Sequence, residues 1–210
     1  MAMNLVKLPT GKPNLQLRVS KGHYATSHSH INYYIDVTLT KFRLSEARAA
    51  AQELVRGYRG TTIIDTILCL DGTEVIGACI ELTKAGYSNM NAHQTIYVVT
   101  PEHTTGSQLI FRENTAPMIQ NKHVLVLAAS VTTGYTVQGA VEAIRYYGGE
   151  PAGVTAIFAT VDECAGYPVA SIFDPHDLPD YQSYDAHSCP WCKAGKKIDA
   201  LVNSFGYSSL

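Results

Sequence analysis

The stretch VLVLAASVTTGYT, residues 124–136, decides the fold of this chain. Its first six residues are valine, leucine and alanine, a run typical of a strand that is buried on both faces of a parallel sheet. Thr132, Thr133 and Gly134 follow, and residues 136–149 have the apolar spacing of a helix. The order strand, turn, helix predicts one unit of an α/β fold.

Further apolar runs of strand length alternate with helical segments along the chain. Since short buried strands that alternate with helices pack as parallel sheets with right-handed crossovers, we predict a central parallel sheet flanked by helices. Residues 17–40, rich in Tyr, Thr, His and Ser, are predicted to form short strands and turns. A helix over 45–57 would be capped by Ser45. The predicted strands are 62–70, 94–100, 122–129 and 153–161, and the other predicted helices are 73–86, 136–149 and 196–205.

Composition narrows the class of protein. The 210 residues include 16 Lys and Arg against 18 Asp and Glu, so there is no basic surface that would indicate a nucleic-acid partner. No apolar run approaches the roughly 20 residues that span a bilayer, and we expect no membrane partner. Five cysteines, an odd number, favour a reducing compartment. We therefore expect a cytoplasmic protein.

The turn after residues 124–129 is a candidate anion site. Free backbone N–H groups at a helix start attract a phosphate, and the hydroxyls of Thr132, Thr133 and Thr136 can add donors. Gly134 allows the backbone to approach a ligand closely. The alternative is a capped turn that binds nothing, because threonine and glycine are ordinary residues at a helix start.

On these residues the chain resembles the type I phosphoribosyltransferases, and among them orotate phosphoribosyltransferase, which carry an acidic pair followed by a Thr-Thr-Gly turn. Residues 22–36 resemble the N-terminal hood that covers the base in that family. Residues 96–111 lie where the family has a mobile catalytic loop, and residues 189–195, CPWCKAG, resemble a cysteine pair near the end of some bacterial members.

The resemblance implies a glycosyltransferase of nucleotide metabolism that binds phosphoribosyl pyrophosphate (PRPP) with Mg²⁺ and acts as a homodimer. It assigns the 5′-phosphate to the turn and pyrophosphate, more weakly, to an earlier loop and the mobile loop. The implied phosphate-binding residues are Ser130, Thr132, Thr133, Gly134, Tyr135 and Thr136; those for pyrophosphate are Asp71, Gly72 and Thr73; those of the mobile loop are Glu102, His103 and Arg112.

The chain departs from the family pattern where the chemistry takes place. Ala128 and Ala129 occupy the positions of the acidic pair, which would hold the ribose hydroxyls and the developing positive charge. Loss of one preorganised electrostatic partner typically costs about 10²–10³ in rate. From Gly86 through Asn121 the strongly basic residue is Arg112 alone, and the strand after the turn lacks the Asp-Arg step associated with orotate recognition.

These departures predict a protein that binds a phosphorylated ribose ligand, PRPP or a nucleotide, with lost or altered catalysis. The alternative is an active phosphoribosyltransferase that uses substitute residues, and a carboxylate from elsewhere, such as Asp71 or Asp162, would favour it. We assign residues 1–40 to the hood segment, 41–165 to the α/β core and 166–210 to a C-terminal tail.

The tail contains one CxxC pair, Cys189 and Cys192. Such a pair can ligate zinc or cycle as a dithiol, whereas a closed zinc site needs about four ligands. His187 is near in sequence, and Cys164, His176 and Asp185 are more distant candidates. A surface turn with reduced thiols needs no such ligands, and the sequence favours it, with no metal assigned. His28 and His30 could contact a base, but a polar hairpin is the favoured account of both.

Overall fold

The computed structural model describes residues 3–58, 62–80, 91, 95–105 and 108–210. The described helices are α1 (Thr38–Phe42), α2 (Leu44–Leu54), α3 (Glu74–Cys79), α4 (Tyr135–Tyr146) and α5 (Pro190–Lys193). The described strands are β1 (Val6–Leu8), β2 (Leu17–Ala25), β3 (Ser29–Asp36), β4 (Thr66–Cys69), β5 (Tyr97–Val99), β6 (Glu102–His103), β7 (Leu109–Ile110), β8 (His123–Val131), β9 (Glu150–Ala159), β10 (Glu163–Cys164), β11 (Tyr167–Phe173), β12 (Ser183–Asp185), β13 (Ala200–Asn203) and β14 (Gly206–Ser209).

The central sheet has the order β10-β11-β9-β8-β4-β5. Its pairs are parallel except for β10 against β11. The predicted central parallel sheet is thus confirmed, and each of the four predicted strands contributes to it. Strand β11, which adds a further parallel strand beside β9, was not predicted.

The two faces of the central sheet explain why residues 124–129 carry no polar side chain. Each of these residues is at most 1% exposed, because α4 packs on one face and α2 on the other. Helix α4 buries Val137, Ala140, Val141 and Ile144, the spacing of one helix face. The tightly packed strand therefore fixes the position of the turn that follows it.

A second sheet, which we call the hood sheet, has the order β12-β3-β2-β13-β14, with β1 paired to β2. It combines N-terminal with C-terminal strands, and β13 runs parallel to β2. The predicted helix over 196–205 is wrong, since residues 200–203 alternate buried and exposed, a period of two that suits a strand.

A buried ion pair joins the hood sheet to the core. Arg18 on β2 donates to both carboxylate oxygens of Glu46 on α2, at 2.8 and 2.7 Å, and both side chains are over nine-tenths buried. The predicted cap at Ser45 is wrong: α2 begins at Leu44, and Arg43 takes the N-cap position.

The remaining predicted elements differ from the structure mainly in length. Helix α3 spans Glu74–Cys79, and residues 81–86 of the predicted helix lie outside the described residues. In the part of the chain that the structure describes, no helix is long and apolar enough to cross a membrane. The division at residues 40 and 165 and the cytoplasmic location stay predictions.

Candidate functional site

A cavity of about 210 Å³ lies between the carboxyl ends of the central strands and the hood sheet. In parallel α/β sheets this edge is where ligands bind. The cavity draws on three parts of the chain, the hood, the central sheet and the C-terminal hairpin. Its lining is Thr26, Ser27, His28, Ile31, Tyr34, Ile35, Val37, Asp71, Ser130, Thr132, Thr133, Tyr135, Thr136, Phe158, Tyr181, Val202, Asn203 and Ser204.

The Thr-Thr-Gly turn, residues 132–134, carries the chain from β8 into α4. Gly134 takes the N-cap position with φ 78°, a left-handed conformation that favours glycine. No side chain in the described residues caps α4, so its first backbone N–H groups are available to a ligand. The Thr160 hydroxyl donates to the Thr132 carbonyl at 3.1 Å and holds the turn against the end of β9.

Hydroxyl groups dominate the polar part of the cavity. Ser130, Thr132, Thr133, Tyr135 and Thr136, predicted from sequence to bind phosphate, all line it, with Gly134 in the backbone between them. Among the side chains that the structure describes, no lysine or arginine lines the cavity. Hydroxyl and backbone N–H groups, together with the side chains of His28 and Asn203, are the donors that the lining offers to an anion.

Asp71 brings a carboxylate into this cavity from the loop after β4. The Ser204 side chain and the Ala129 backbone N–H lie near this carboxylate, beside the position of the missing acidic pair. Burial raises the pKa of Asp71, against the lowering effects of Ser204, Lys41, the Ala129 N–H and His103. Ala128 and Ala129 themselves are buried and contribute no side chain to the lining.

Lys41 is hydrogen-bonded to the loop that contains Asp71. Its buried ammonium donates to the carbonyl oxygens of Asp71 and Ser204, each at 2.7 Å. Burial lowers the pKa of Lys41, while the carboxylates of Asp71, Glu74 and Asp36 oppose that shift. Lys41 thus joins two segments of the cavity wall, the loop after β4 and the turn between β13 and β14.

The residues assigned to pyrophosphate are only partly brought to the cavity. Asp71 lines it, whereas Thr73 is fully buried and its hydroxyl donates to the carbonyls of Leu70 and Leu127. Gly72 has a φ of 77° in the same tight loop. The side-chain donor of Thr73 is therefore committed to the fold, and backbone groups are what the loop can offer.

The mobile-loop residues lie outside the cavity lining. β6 and β7 form a two-stranded hairpin, in which the Arg112 side chain pairs with Glu102 at 2.6 Å on the surface. The Arg112 hydrogen bonds lower the pKa of Glu102, and Glu102 in turn raises that of Arg112. His103 is exposed and close enough to Asp71 to affect its pKa. The one strongly basic residue of the loop is thus held by a carboxylate in this structure.

The resemblance of residues 22–36 to a hood anticipated one wall of the cavity, whereas the wall that the C-terminal hairpin provides was missed. Thr26, Ser27 and His28 form the turn between β2 and β3, and the His28 ring lies 4.9 Å from that of Tyr135. Asn203 and Ser204 come from the turn after β13. The alternating pattern of residues 200–203 was the signal that could have predicted this hairpin. The wrong helix prediction excluded Asn203 and Ser204 from the candidate site.

The apolar wall of the cavity is aromatic. Tyr34, Phe158 and Tyr181 line it together with aliphatic side chains of the hood. Burial raises the pKa of both Tyr34 and Tyr181 to about 12, so each phenol is protonated at neutral pH. A cavity lined both by aromatic rings and by a hydroxyl-rich turn suits a ligand with a polar end and a planar or apolar end.

The other predicted candidates lie elsewhere. Asp162 is exposed in the bend after β9, outside the cavity lining. Cys189 and Cys192 lie beside His23 and His30 at the far side of the hood sheet, and none of the four lines the cavity. Of the carboxylates that the structure describes, only Asp71 lines the cavity, so it is the protein group that could contact a Mg²⁺ ion held by ligand phosphates.

No protein-family model and no curated protein matches the sequence. Solved structures do match the fold. A phosphoribosyltransferase from Corynebacterium diphtheriae is 20% identical, with 76% of this chain and 90% of that chain covered at a TM-score of 0.53. Orotate phosphoribosyltransferase from Mycobacterium tuberculosis is 19% identical, with coverages of 77% and 92% and a TM-score of 0.53.

A third match reaches further along the chain. Adenine phosphoribosyltransferase from Trypanosoma brucei, in complex with AMP, pyrophosphate and ribose-5-phosphate, is 14% identical and covers 86% of this chain and 90% of its own, with a TM-score of 0.52. The resemblance seen in the Thr-Thr-Gly stretch thus extends to the whole fold. The chain has the type I phosphoribosyltransferase fold.

Proposed function

We propose that this protein binds a 5′-phosphoribosyl ligand, PRPP or a nucleotide, in the cavity below the hood sheet. The observation that carries the proposal is that the Thr-Thr-Gly turn, at an uncapped start of α4, opens into a cavity at the carboxyl edge of a phosphoribosyltransferase-type sheet. The adenine phosphoribosyltransferase of the same fold holds AMP and ribose-5-phosphate.

The charge distribution supports binding with lost or altered catalysis. Phosphoribosyl transfer develops positive charge on the sugar and negative charge on pyrophosphate, so groups of opposite sign should face each. Here Ala128 and Ala129 replace the acidic pair, and Arg112 is engaged by Glu102. A phosphate at the turn would be held by hydroxyl and backbone N–H donors.

The second candidate function, an active phosphoribosyltransferase, is favoured by the position of Asp71. Its carboxylate lies near the Ala129 N–H and lines the cavity, so it could accept hydrogen bonds from ribose hydroxyls or contact Mg²⁺ carried by the ligand phosphates. Under this alternative, Asp71 takes over part of the role of the missing acidic pair.

Calorimetric titration with ribose-5-phosphate and with PRPP, with and without Mg²⁺, tests the proposal. Thr133→Asp puts a carboxylate on an exposed residue of the turn, and we expect it to weaken binding at least 10-fold without unfolding the protein. Ser208→Asp, on an exposed residue of β14 outside the cavity, is the matched control and should bind like the parent. Equal binding by both variants would place the site elsewhere.

A pyrophosphate-release assay with orotate, adenine and other bases separates the two candidates. Binding without release supports the first candidate. Release with any base that is lost in Asp71→Asn supports the second, because this variant keeps the size of the side chain and removes its charge.

We also propose that the protein works as a homodimer in the cytoplasm. The large exposed apolar side chains support an interface between copies, since Tyr146 on α4 is 85% exposed and Phe42 is 60% exposed. Analytical ultracentrifugation at several protein concentrations measures the oligomeric state.

A further inference from the structure

A second group of polar side chains lies at the end of the hood sheet, away from the cavity. His23, His30, Cys189 and Cys192 each offer one ligand atom, and these four atoms all lie within 4.8 Å of one another. We propose that they form a closed structural zinc site that fastens the C-terminal segment to the hood. The proposal is independent of the phosphoribosyl ligand.

The interatomic distances fit a tetrahedral ion. His23 Nε2 lies 3.1 Å from His30 Nδ1 and 3.7 Å from each sulfur, and Cys192 Sγ lies 3.2 Å from His30 Nδ1. Tetrahedral zinc, with bonds of about 2.0–2.1 Å to nitrogen and about 2.3 Å to sulfur, separates two nitrogens by about 3.3 Å and a nitrogen from a sulfur by about 3.6 Å. Four of the six pairs of ligand atoms are thus close to the separations around tetrahedral zinc, and the other two lie within 4.8 Å.

The second nitrogen of His23 explains how the ring is oriented. His23 Nδ1 lies 3.1 Å from the carbonyl oxygens of both Lys196 and Lys197. Since a carbonyl only accepts, Nδ1 carries the proton and Nε2 presents its lone pair to the centre of the cluster. Metal-bound histidines are commonly held by such a bond from the other ring nitrogen to a carbonyl.

The backbone around His23 fixes the direction of this side chain. A β-bulge between Lys21 and Tyr24 shifts the register of β2 against β3. Asp199 fixes the bulge, because its carboxylate accepts from the His23 N–H and its own N–H donates to the His23 carbonyl, both at 2.7 Å. At Gly22 a Cβ would lie 2.7 Å from the Asp199 carboxylate and from the Tyr24 ring, so a side chain there would disrupt this arrangement.

Burial and charge also suit zinc. His23, His30 and Cys189 are at least nine-tenths buried, and the Trp191 ring packs against His23 at 5.3 Å. Two thiolates neutralise Zn²⁺, so a bound ion would leave no net charge in this buried place. Two thiolates and two imidazoles fill all four tetrahedral positions, which is typical of a structural site.

The site would join segments that are far apart in the chain but adjacent to the cavity wall. His23 and His30 flank the hood turn, residues 26–28, and Cys189 and Cys192 precede β13, whose turn contributes Asn203 and Ser204 to the cavity. A metal at this point would fasten the hood turn and the C-terminal hairpin to each other.

Metal analysis of the full-length protein tests the proposal. After expression with added zinc and purification without chelator, we expect elemental mass spectrometry to find about one zinc ion per chain. Replacement of zinc by Co²⁺ should give the visible bands of a tetrahedral ion and a thiolate charge-transfer band. Less than about 0.1 equivalent of zinc together with no cobalt bands would overturn the proposal.

Variants identify the ligands. Cys192→Ser, at an exposed ligand position, should retain less than about a tenth of the metal, whereas Cys79→Ser, a cysteine outside the cluster, should retain it fully. Chelation should lower the Tm of the parent and of Cys79→Ser but leave that of Cys192→Ser unchanged. Full retention of zinc by Cys192→Ser contradicts the proposed ligand set.

Discussion

Replacement of Gly134 by alanine should destabilise the protein through two separable effects. Gly134 has φ 78° and ψ −3°, and a left-handed conformation costs an L-residue about 1–2 kcal/mol. A Cβ there would also lie 2.5 Å from Cys164 Sγ, so the Cys164 side chain must leave its rotamer at about 0.5–1.5 kcal/mol. Part of this is offset because alanine restricts the unfolded chain. We expect Gly134→Ala to lose about 2 kcal/mol of unfolding free energy.

A double-mutant cycle with Cys164→Ala separates the steric effect from the conformational one. Cys164→Ala removes the sulfur, and the hypothetical Cβ of residue 134 is then 3.7 Å from the remaining Cβ of residue 164, an ordinary contact. In that background Gly134→Ala should cost only the conformational part, about 1 kcal/mol, so the coupling energy should be about 1 kcal/mol. Urea unfolding followed by far-UV circular dichroism measures all four proteins.

Either of two results would refute this reasoning. A Gly134→Ala protein as stable as the parent would mean that the turn does not hold the left-handed conformation. A coupling energy of zero would mean that Cys164 does not pack against the turn. Ribose-5-phosphate titration of the same proteins links the conformation to binding, because a shifted turn would no longer present the N–H groups at the start of α4.

Two further predictions concern charged groups near the sheet edges. Lys41→Met should cost about 2–4 kcal/mol, since it leaves the buried carbonyls of Asp71 and Ser204 without their donor; unchanged urea unfolding would show that water replaces the ammonium. Burial raises the pKa of Asp65, but the backbone N–H and ring of His123 lower it more, so the net pKa lies below its usual value. Asp65 should therefore stabilise the protein above about pH 4 and lose that contribution as pH falls through the folded pKa. Stability measured from pH 6 to pH 2 should fall less steeply in Asp65→Asn, and identical slopes would contradict the assignment.

The central sheet was predictable because its strands are buried on both faces. Residues 62–70, 122–129 and 153–161 are near-continuous apolar runs, a pattern that does not depend on which segments pack against them. Strand β11 was missed because its first five residues are exposed or only partly buried, and only Ile172 and Phe173 at its end are buried. Strength of the local pattern therefore decided which strands of the sheet could be predicted.

The hood sheet depended on contacts between the two ends of the chain. Residues 200–203 read equally well as helix or strand, and pairing with β2, some 175 residues away, selected the strand. The histidine and cysteine cluster has the same origin, since His23 and Cys189 are 166 residues apart in sequence. Sequence spacing directed attention to His187, whereas the fold brings His23 and His30 to the cysteines.

The environment of Asp71 favours binding over catalysis among the two candidate functions. Stabilising a cation-like sugar needs a carboxylate whose charge is free to act on it. Burial raises the pKa of the Asp71 carboxylate, and Ser204, Lys41 and the Ala129 N–H lie close enough to lower it. These neighbours reduce the field that the carboxylate can exert on the cavity. Such a carboxylate can accept a hydrogen bond from a ribose hydroxyl, which would anchor a ligand without accelerating its reaction.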